Sequence, residues 1–166
     1  MVPPFEVPVF ADPSGAFTTA AGMVAITEKA LKDKFSEDFK NKKVVILGGT
    51  GPVGVASAVI SAKAGNEVLL VGRSLEKAEG IARICNDKYG SKSVVGAADG
   101  DKASFLTDTD VVFNTGAAGI QLMDDKLIAN AKNLKICADV NAVPPSGIAG
   151  VDAIKRARTT DIQTNI

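Results

Sequence analysis

The sequence predicts an α/β fold: an open, doubly wound parallel sheet of about five strands with helices on both faces. Three observations predict it. Short continuous apolar runs such as Val44-Val45-Ile46-Leu47 recur along the chain, as strands buried on both faces require. Helical stretches separate those runs, so each strand is followed by a crossover. A glycine-rich loop, Gly48-Gly49-Thr50-Gly51-Pro52-Val53-Gly54, follows the first run directly and opens a helix.

The elements follow in order. Residues 1–16 contain Pro3, Pro4, Pro8 and Pro13 and read as an extended lead-in. A linking helix is expected over 17–36, with Ala20, Val24, Thr27, Leu31 and Phe35 on one stripe and Lys29, Lys32 and Lys34 opposite. Ser14 is its expected N-cap, and Ser36 to Lys43 reads as a polar turn. Residues 42–154 form the expected dinucleotide-binding domain. Its strands are predicted over 44–47, 67–71, 93–97, 110–114 and 134–140. Its helices are predicted over 52–64, 75–89 and 124–131, with one or two helical turns over 102–106. Gly65 and Gly90 are placed to end two of the helices. The polar tail 155–166 has no clear apolar period.

Composition narrows the function. Nineteen Lys and Arg balance nineteen Asp and Glu, so no net charge draws the chain to nucleic acid or to an anionic membrane. No apolar run reaches the roughly 20 residues of a membrane span. The N-terminus lacks the basic-then-apolar pattern of a secretory signal, so a cytoplasmic location is expected. Cys85 and Cys137 stand in no ligand-like spacing and read as reduced, buried thiols. Histidine is absent, which removes the commonest zinc ligand and the commonest neutral-pH general base. No metal site is expected, and a cofactor is the natural carrier of any difficult step.

Gly49, Gly51 and Gly54 fit G-x-G-x-x-G in the strand-to-helix context that gives the pattern meaning, which makes the fold Rossmann-like. Gly49 is expected to make the tight turn. Gly51 leaves room for a pyrophosphate, and Gly54 lets the helix pack on the strand. Pro52 stands at the first helical position, where its missing N–H is not needed. Thr50 and Val53 complete the cradle. The second strand ends Val71-Gly72-Arg73-Ser74, where an NAD site would carry Asp or Glu for the ribose 2′-hydroxyl. With Arg73, Ser74 and Lys77 there instead, the expected cofactor is NADP, its 2′-phosphate held by the guanidinium fork. Thr115, Gly116 and Ala117 after the fourth strand and Asn141 after the fifth lie at the same edge. They are the expected lining for the nicotinamide half, with Asn141 a candidate for its carboxamide.

Several runs together resemble a known family: Ala11-Asp12-Pro13-Ser14-Gly15-Ala16-Phe17-Thr18-Thr19, then Lys42 to Gly54, Val71 to Ser74, Thr115 to Ile120, and Ala138 to Asp152. The chain is similar to the NADP-dependent methylene-tetrahydromethanopterin dehydrogenases, some of which handle methylene-tetrahydrofolate. The resemblance covers about residues 3–154. It implies a pterin substrate and hydride transfer from a methylene carbon between two pterin nitrogens to the nicotinamide, a step in one-carbon metabolism that needs no strong acid or base. It also implies a preceding domain, a cleft shared with it, and a homo-oligomer. Asp12, Ser14, Thr18 and Thr19 match the family's lead into the linking helix and serve equally well as cap and turn residues. No residue is assigned a catalytic role. Two other readings remain open: a non-catalytic NADP-binding or regulatory module, and a fragment of a shikimate-type dehydrogenase.

Overall fold

The computed structural model describes residues 10–141 and 143–151. Most of the proline-rich lead-in, Ala142, Asp152 and the polar tail lie outside the described residues.

Five parallel strands form one sheet in the order β3-β2-β1-β4-β5: β1 (Lys43–Leu47), β2 (Glu67–Gly72), β3 (Val94–Ala98), β4 (Val111–Asn114) and β5 (Ile136–Asp139). The chain runs outward from β1 to β3, then crosses back to β4. The strand order therefore reverses between β1 and β4, and the glycine loop leaves the sheet beside that point.

Alternation along β1 divides the core. Val44 and Ile46 face α1 (Ala16–Phe35), α2 (Pro52–Lys63) and α3 (Leu75–Tyr89), together with Leu70, Val111 and Phe113. Val45 and Leu47 face the other way, toward Leu106, Met123, Leu134 and Ile148. Both faces are covered, but unequally. Among the described residues the second face is covered by α4 (Lys102–Phe105), which two 3-10 turns flank, the short α5 (Asp125–Asn130), and the segment around Ile148. Val95 on β3 consequently remains 60% exposed, above a groove of about 420 Å³ shared with Val45, Leu69 and Phe105.

The predicted stripe of α1 is buried at Ala20, Val24, Thr27 and Leu31, and Met23 and Ala30 join it. The helix packs along α2 and shares its core. Its N-terminus differs from expectation: Ser14 does not cap it. Gly15 occupies that position with φ 65°, and the Asp12 carboxylate reaches past it to accept from Thr18 N–H and Thr18 Oγ1, each at 2.9 Å. Those bonds, the backbone one foremost, lower the Asp12 pKa below its ordinary value. The polar turn after α1 also hides a core residue. Phe39 is buried and its ring centroid lies 6.5 Å from that of Phe113.

At the amino edge of the sheet Glu37 accepts from Lys135 at 2.8 Å and also from Lys42, and Lys135 reaches Asp110 at 3.2 Å. This network ties the turn after α1 to the starts of β1 and β5, at the end of the molecule opposite the glycine loop.

Candidate dinucleotide site

The glycine loop forms because four neighbouring backbones come closer than side chains permit. Gly48 has φ 66°, and a Cβ there would lie 2.4 Å from the Gly116 Cα. The tight turn thus belongs to Gly48 and not to Gly49 as expected. Gly49 is required for another reason: its Cβ would lie 2.8 Å from Leu70 Cγ and 2.9 Å from Ile46 O. Gly54 is close-packed as predicted, with a notional Cβ 2.5 Å from Gly49 Cα. The Gly48-Gly49 doublet was visible in the sequence. Which member turns is decided by Gly116, from the loop after β4, far along the chain.

Gly51 stands apart. Among the described residues a Cβ there would meet only Gly48 O, at 3.9 Å. The packing of the described residues does not need glycine at this position. Moreover Gly51 is the N-cap of α2, where Ser, Thr, Asp or Asn would supply a side-chain acceptor, and among the described residues no side-chain cap bond is made. Pro52 at the first helical position has no N–H, so the first amides available belong to Val53 and Gly54. An uncapped 12-residue helix whose end is approached through a glycine is suited to an anion, which the helix dipole favours by about 0.3–1 kcal/mol.

The predicted residues gather on both sides of this cradle. On one side Gly49 N–H donates to Val71 O at 2.9 Å, and Thr50 Cγ2 lies where a Gly72 Cβ would need to be, 2.7 Å away. Arg73, Ser74 and Lys77 follow immediately and are exposed. Ser74 Oγ accepts from Lys77 N–H at 3.4 Å and caps α3, leaving its hydroxyl proton free to donate. Glu76 opens the same helix and puts one carboxylate beside these cations.

On the other side Thr115 N–H and Oγ1 donate to Leu47 O at 2.9 and 3.0 Å, fixing the end of β4 to the end of β1. Gly116 abuts Gly48, and Ala117 is exposed. The Asn141 side chain is already engaged. Its Nδ2 donates to Gly116 O and its backbone N–H donates to Asp139 Oδ1 at 2.9 Å, so it joins the two loops. Asn114 and Asp139, beneath these loops, carried no recognisable sequence signal. Among the described residues no group of three His, Cys, Asp or Glu side chains could hold a metal ion, and no helix is long and apolar enough to cross a membrane.

No protein-family model matches the chain. The sequence is, however, 44% identical over 156 residues to the NAD(P)-dependent methylenetetrahydromethanopterin dehydrogenase of Methylorubrum extorquens, covering 91% of this chain and 52% of that protein. The chain is similar to one part of that dehydrogenase. A second protein of the same organism, the bifunctional protein MdtA, is 38% identical over 159 residues, covering 93% of this chain and 53% of its own length. The chain thus spans about half the length of the curated relatives it matches. Among solved structures, a dipicolinate synthase from Bacillus halodurans superposes with a TM-score of 0.61 at 21% identity, covering 81% of this chain and 42% of that one. That likeness establishes the Rossmann-like fold alone.

Proposed function

We propose that the chain is the NADP-binding part of a methylenetetrahydromethanopterin dehydrogenase, transferring hydride between a methylene-pterin and NADP. The observation that carries the reading is Gly51: a glycine that the packing of the described residues does not require, at the uncapped start of α2, in a chain 44% identical to an NAD(P)-dependent dehydrogenase of that kind. The bound nicotinamide would supply the hydride chemistry, which suits a chain with no histidine to act as base.

The chain's own residues then bind and orient. The amides of Val53 and Gly54 hold the pyrophosphate at the start of α2. Arg73, with Ser74 and Lys77, holds the 2′-phosphate beyond β2, a charge-assisted contact stronger than a neutral hydrogen bond. Glu76 opposes a second negative charge nearby and leaves room for NAD as a weaker alternative. Thr115, Gly116, Ala117 and Asn141 line the path of the nicotinamide half. The pterin is the substrate. Orientation of its methylene carbon against the cofactor is the protein's main contribution, since a positioned unimolecular transfer needs no strong acid or base.

Titration with NADP and NAD, followed by calorimetry or by thermal shift, tests the first half of this reading. Binding of NADP in the micromolar range and weaker binding of NAD are expected. No heat and no change in melting with either, up to millimolar, would rule the reading out. Reduction of NADP with methylenetetrahydromethanopterin, absent with shikimate, tests the second half on a protein that also carries the other domain of the cleft, since this chain by itself is expected to bind NADP better than it turns over.

A further inference from the structure

The ends of β4 and β5 are joined by two side chains to which no role has been given. Asn114 and Asp139 are the last residues of their strands and stand opposite each other in register. Asn114 has no exposed surface. Its Nδ2 donates to Asp139 Oδ1 at 2.8 Å, and its Oδ1 accepts from Gly116 N–H at 3.1 Å. Asp139 Oδ1 also accepts from Asn141 N–H at 2.9 Å, and Asp139 Oδ2 accepts from Ile148 N–H at 3.0 Å. Three neutral N–H groups therefore converge on one carboxylate. Gly147 is moulded to the pair, since its Cβ would lie 1.6 Å from Asn114 Nδ2. Gly147 O in turn accepts from Leu122 and Met123 N–H at 2.7 and 3.0 Å.

These contacts fix two loops at once. Gly116 is held by Asn114 from below and by Asn141 from the side, and it is the residue that touches Gly48. Gly48 and Gly116 mark the β1–β4 side of the crevice, whereas Thr50, Gly72 and Arg73 mark the β1–β2 side. A dinucleotide whose diphosphate lies at the start of α2 sends its adenosine half over β2 and its other half over β4.

We propose that Asn114 and Asp139 form a latch that positions the nicotinamide half of the cofactor, by holding Gly116 and Asn141 in one arrangement beside the glycine loop. The pair acts through those loops and rests on the NADP reading above. It leaves the adenosine half untouched.

Asp139→Asn keeps the side-chain volume but replaces an acceptor oxygen with an NH₂ group, which then faces at least one of the three converging N–H groups. The test compares NADP with 2′,5′-ADP, which carries the 2′-phosphate and adenosine but no nicotinamide, by calorimetry on the wild type and the variant. The variant is expected to bind NADP about tenfold more weakly, the loss of one well-made hydrogen-bond set, and 2′,5′-ADP within about twofold of wild type. Equal losses for both ligands, or no loss for NADP, would overturn the latch. A wild type that binds 2′,5′-ADP and NADP shows that the cofactor reading stands whatever the variant does; one that binds neither sinks both ideas. Asn114→Ala, which removes the bond to Asp139 Oδ1 and the acceptor of Gly116 N–H, carries the same comparison if Asp139→Asn loses its cooperative melt. Should neither variant melt cooperatively, the pair is a structural brace and the proposal fails.

Discussion

Gly54 lies against Gly49 so closely that a Cβ on the first would sit 2.5 Å from the Cα and the carbonyl oxygen of the second. Backbone meets backbone there, and no flexible side chain can move aside. Two glycines of the same loop thus fail in different ways when replaced. Gly54→Ala overpacks the seam between α2 and β1 and should cost about 1–3 kcal/mol, read as a fall in Tm of several degrees. Gly51→Ala meets nothing within 3.9 Å, so its Tm should stay close to wild type while NADP affinity falls at least about tenfold, because the methyl occupies the phosphate's approach. Thermal melts and titrations of the two variants check the contrast; a Gly51→Ala protein that binds normally would remove the argument from this glycine.

Arg73 sets the expected coenzyme preference. Arg73→Asp exchanges a guanidinium for a carboxylate at the start of α3. Loss of a charge-assisted contact worth about 1.5–3 kcal/mol should weaken NADP by roughly 10- to 100-fold. NAD, lacking the extra phosphate, should bind as well as before or better. Parallel titrations give the ratio, and an unchanged ratio would place the 2′-phosphate elsewhere.

Glu37 predicts a pH dependence. Its hydrogen bond to Lys135, then that to Lys42, holds its carboxyl below the ordinary 4.5. The folded-state value is depressed, so the stabilisation is fully present above about pH 4.5 and is lost as pH falls through the folded-state value. Glu37→Gln should therefore cost about 0.5–1 kcal/mol near neutrality, given the partial exposure of the network, and nothing once the carboxyl is protonated in both states. Urea midpoints of wild type and variant at pH 7 and at low pH should converge on acidification.

The two thiols should be silent in the native protein. Burial, and then the charge of Asp139, push the Cys137 thiol up to about 12, and burial raises Cys85. Thiolate is the reactive form, so alkylation by iodoacetamide at pH 8 should be negligible until denaturant is added. Mass spectrometry counts the adducts; rapid labelling of either residue under native conditions would contradict this packing.

The strands were legible because each carries a continuous apolar run, and every predicted strand and main helix lies within a residue or two of its observed place. The parallel sheet followed from the alternation of strands and helices, and the loop after β1 from its glycines; the strand order was not read from the sequence. What the sequence hid were matters of distant partners. Phe39 looked like part of a polar turn, and only Phe113 on β4 explains its burial. Ser14 looked like a cap, but the Asp12 carboxylate reaches the first-turn amide and hydroxyl of Thr18. Gly49 looked like the turning glycine, whereas Gly116 makes Gly48 the one that turns. Asn141 was assigned to a ligand by position, yet its amide already donates to Gly116. Asp139 stood inside a familiar run without any local mark of its role as an acceptor of three N–H groups. Periodicity reports a residue's own face; it is silent on who arrives from the far side of the sheet.

The order in which strands meet has a consequence for biosynthesis. β1 pairs first with β2, its neighbour in the chain, but its other edge must wait for β4, since Val44 pairs with Val111. Such non-local seams close late, because the intervening chain must give up its freedom before the contacts compensate. The turn at Gly48 therefore has nothing to lean on until Gly116 has been made. A polypeptide still on the ribosome, short of that residue, would expose β1's unpaired edge to its neighbours. During that interval chaperones, and not the coenzyme, would be its natural protection.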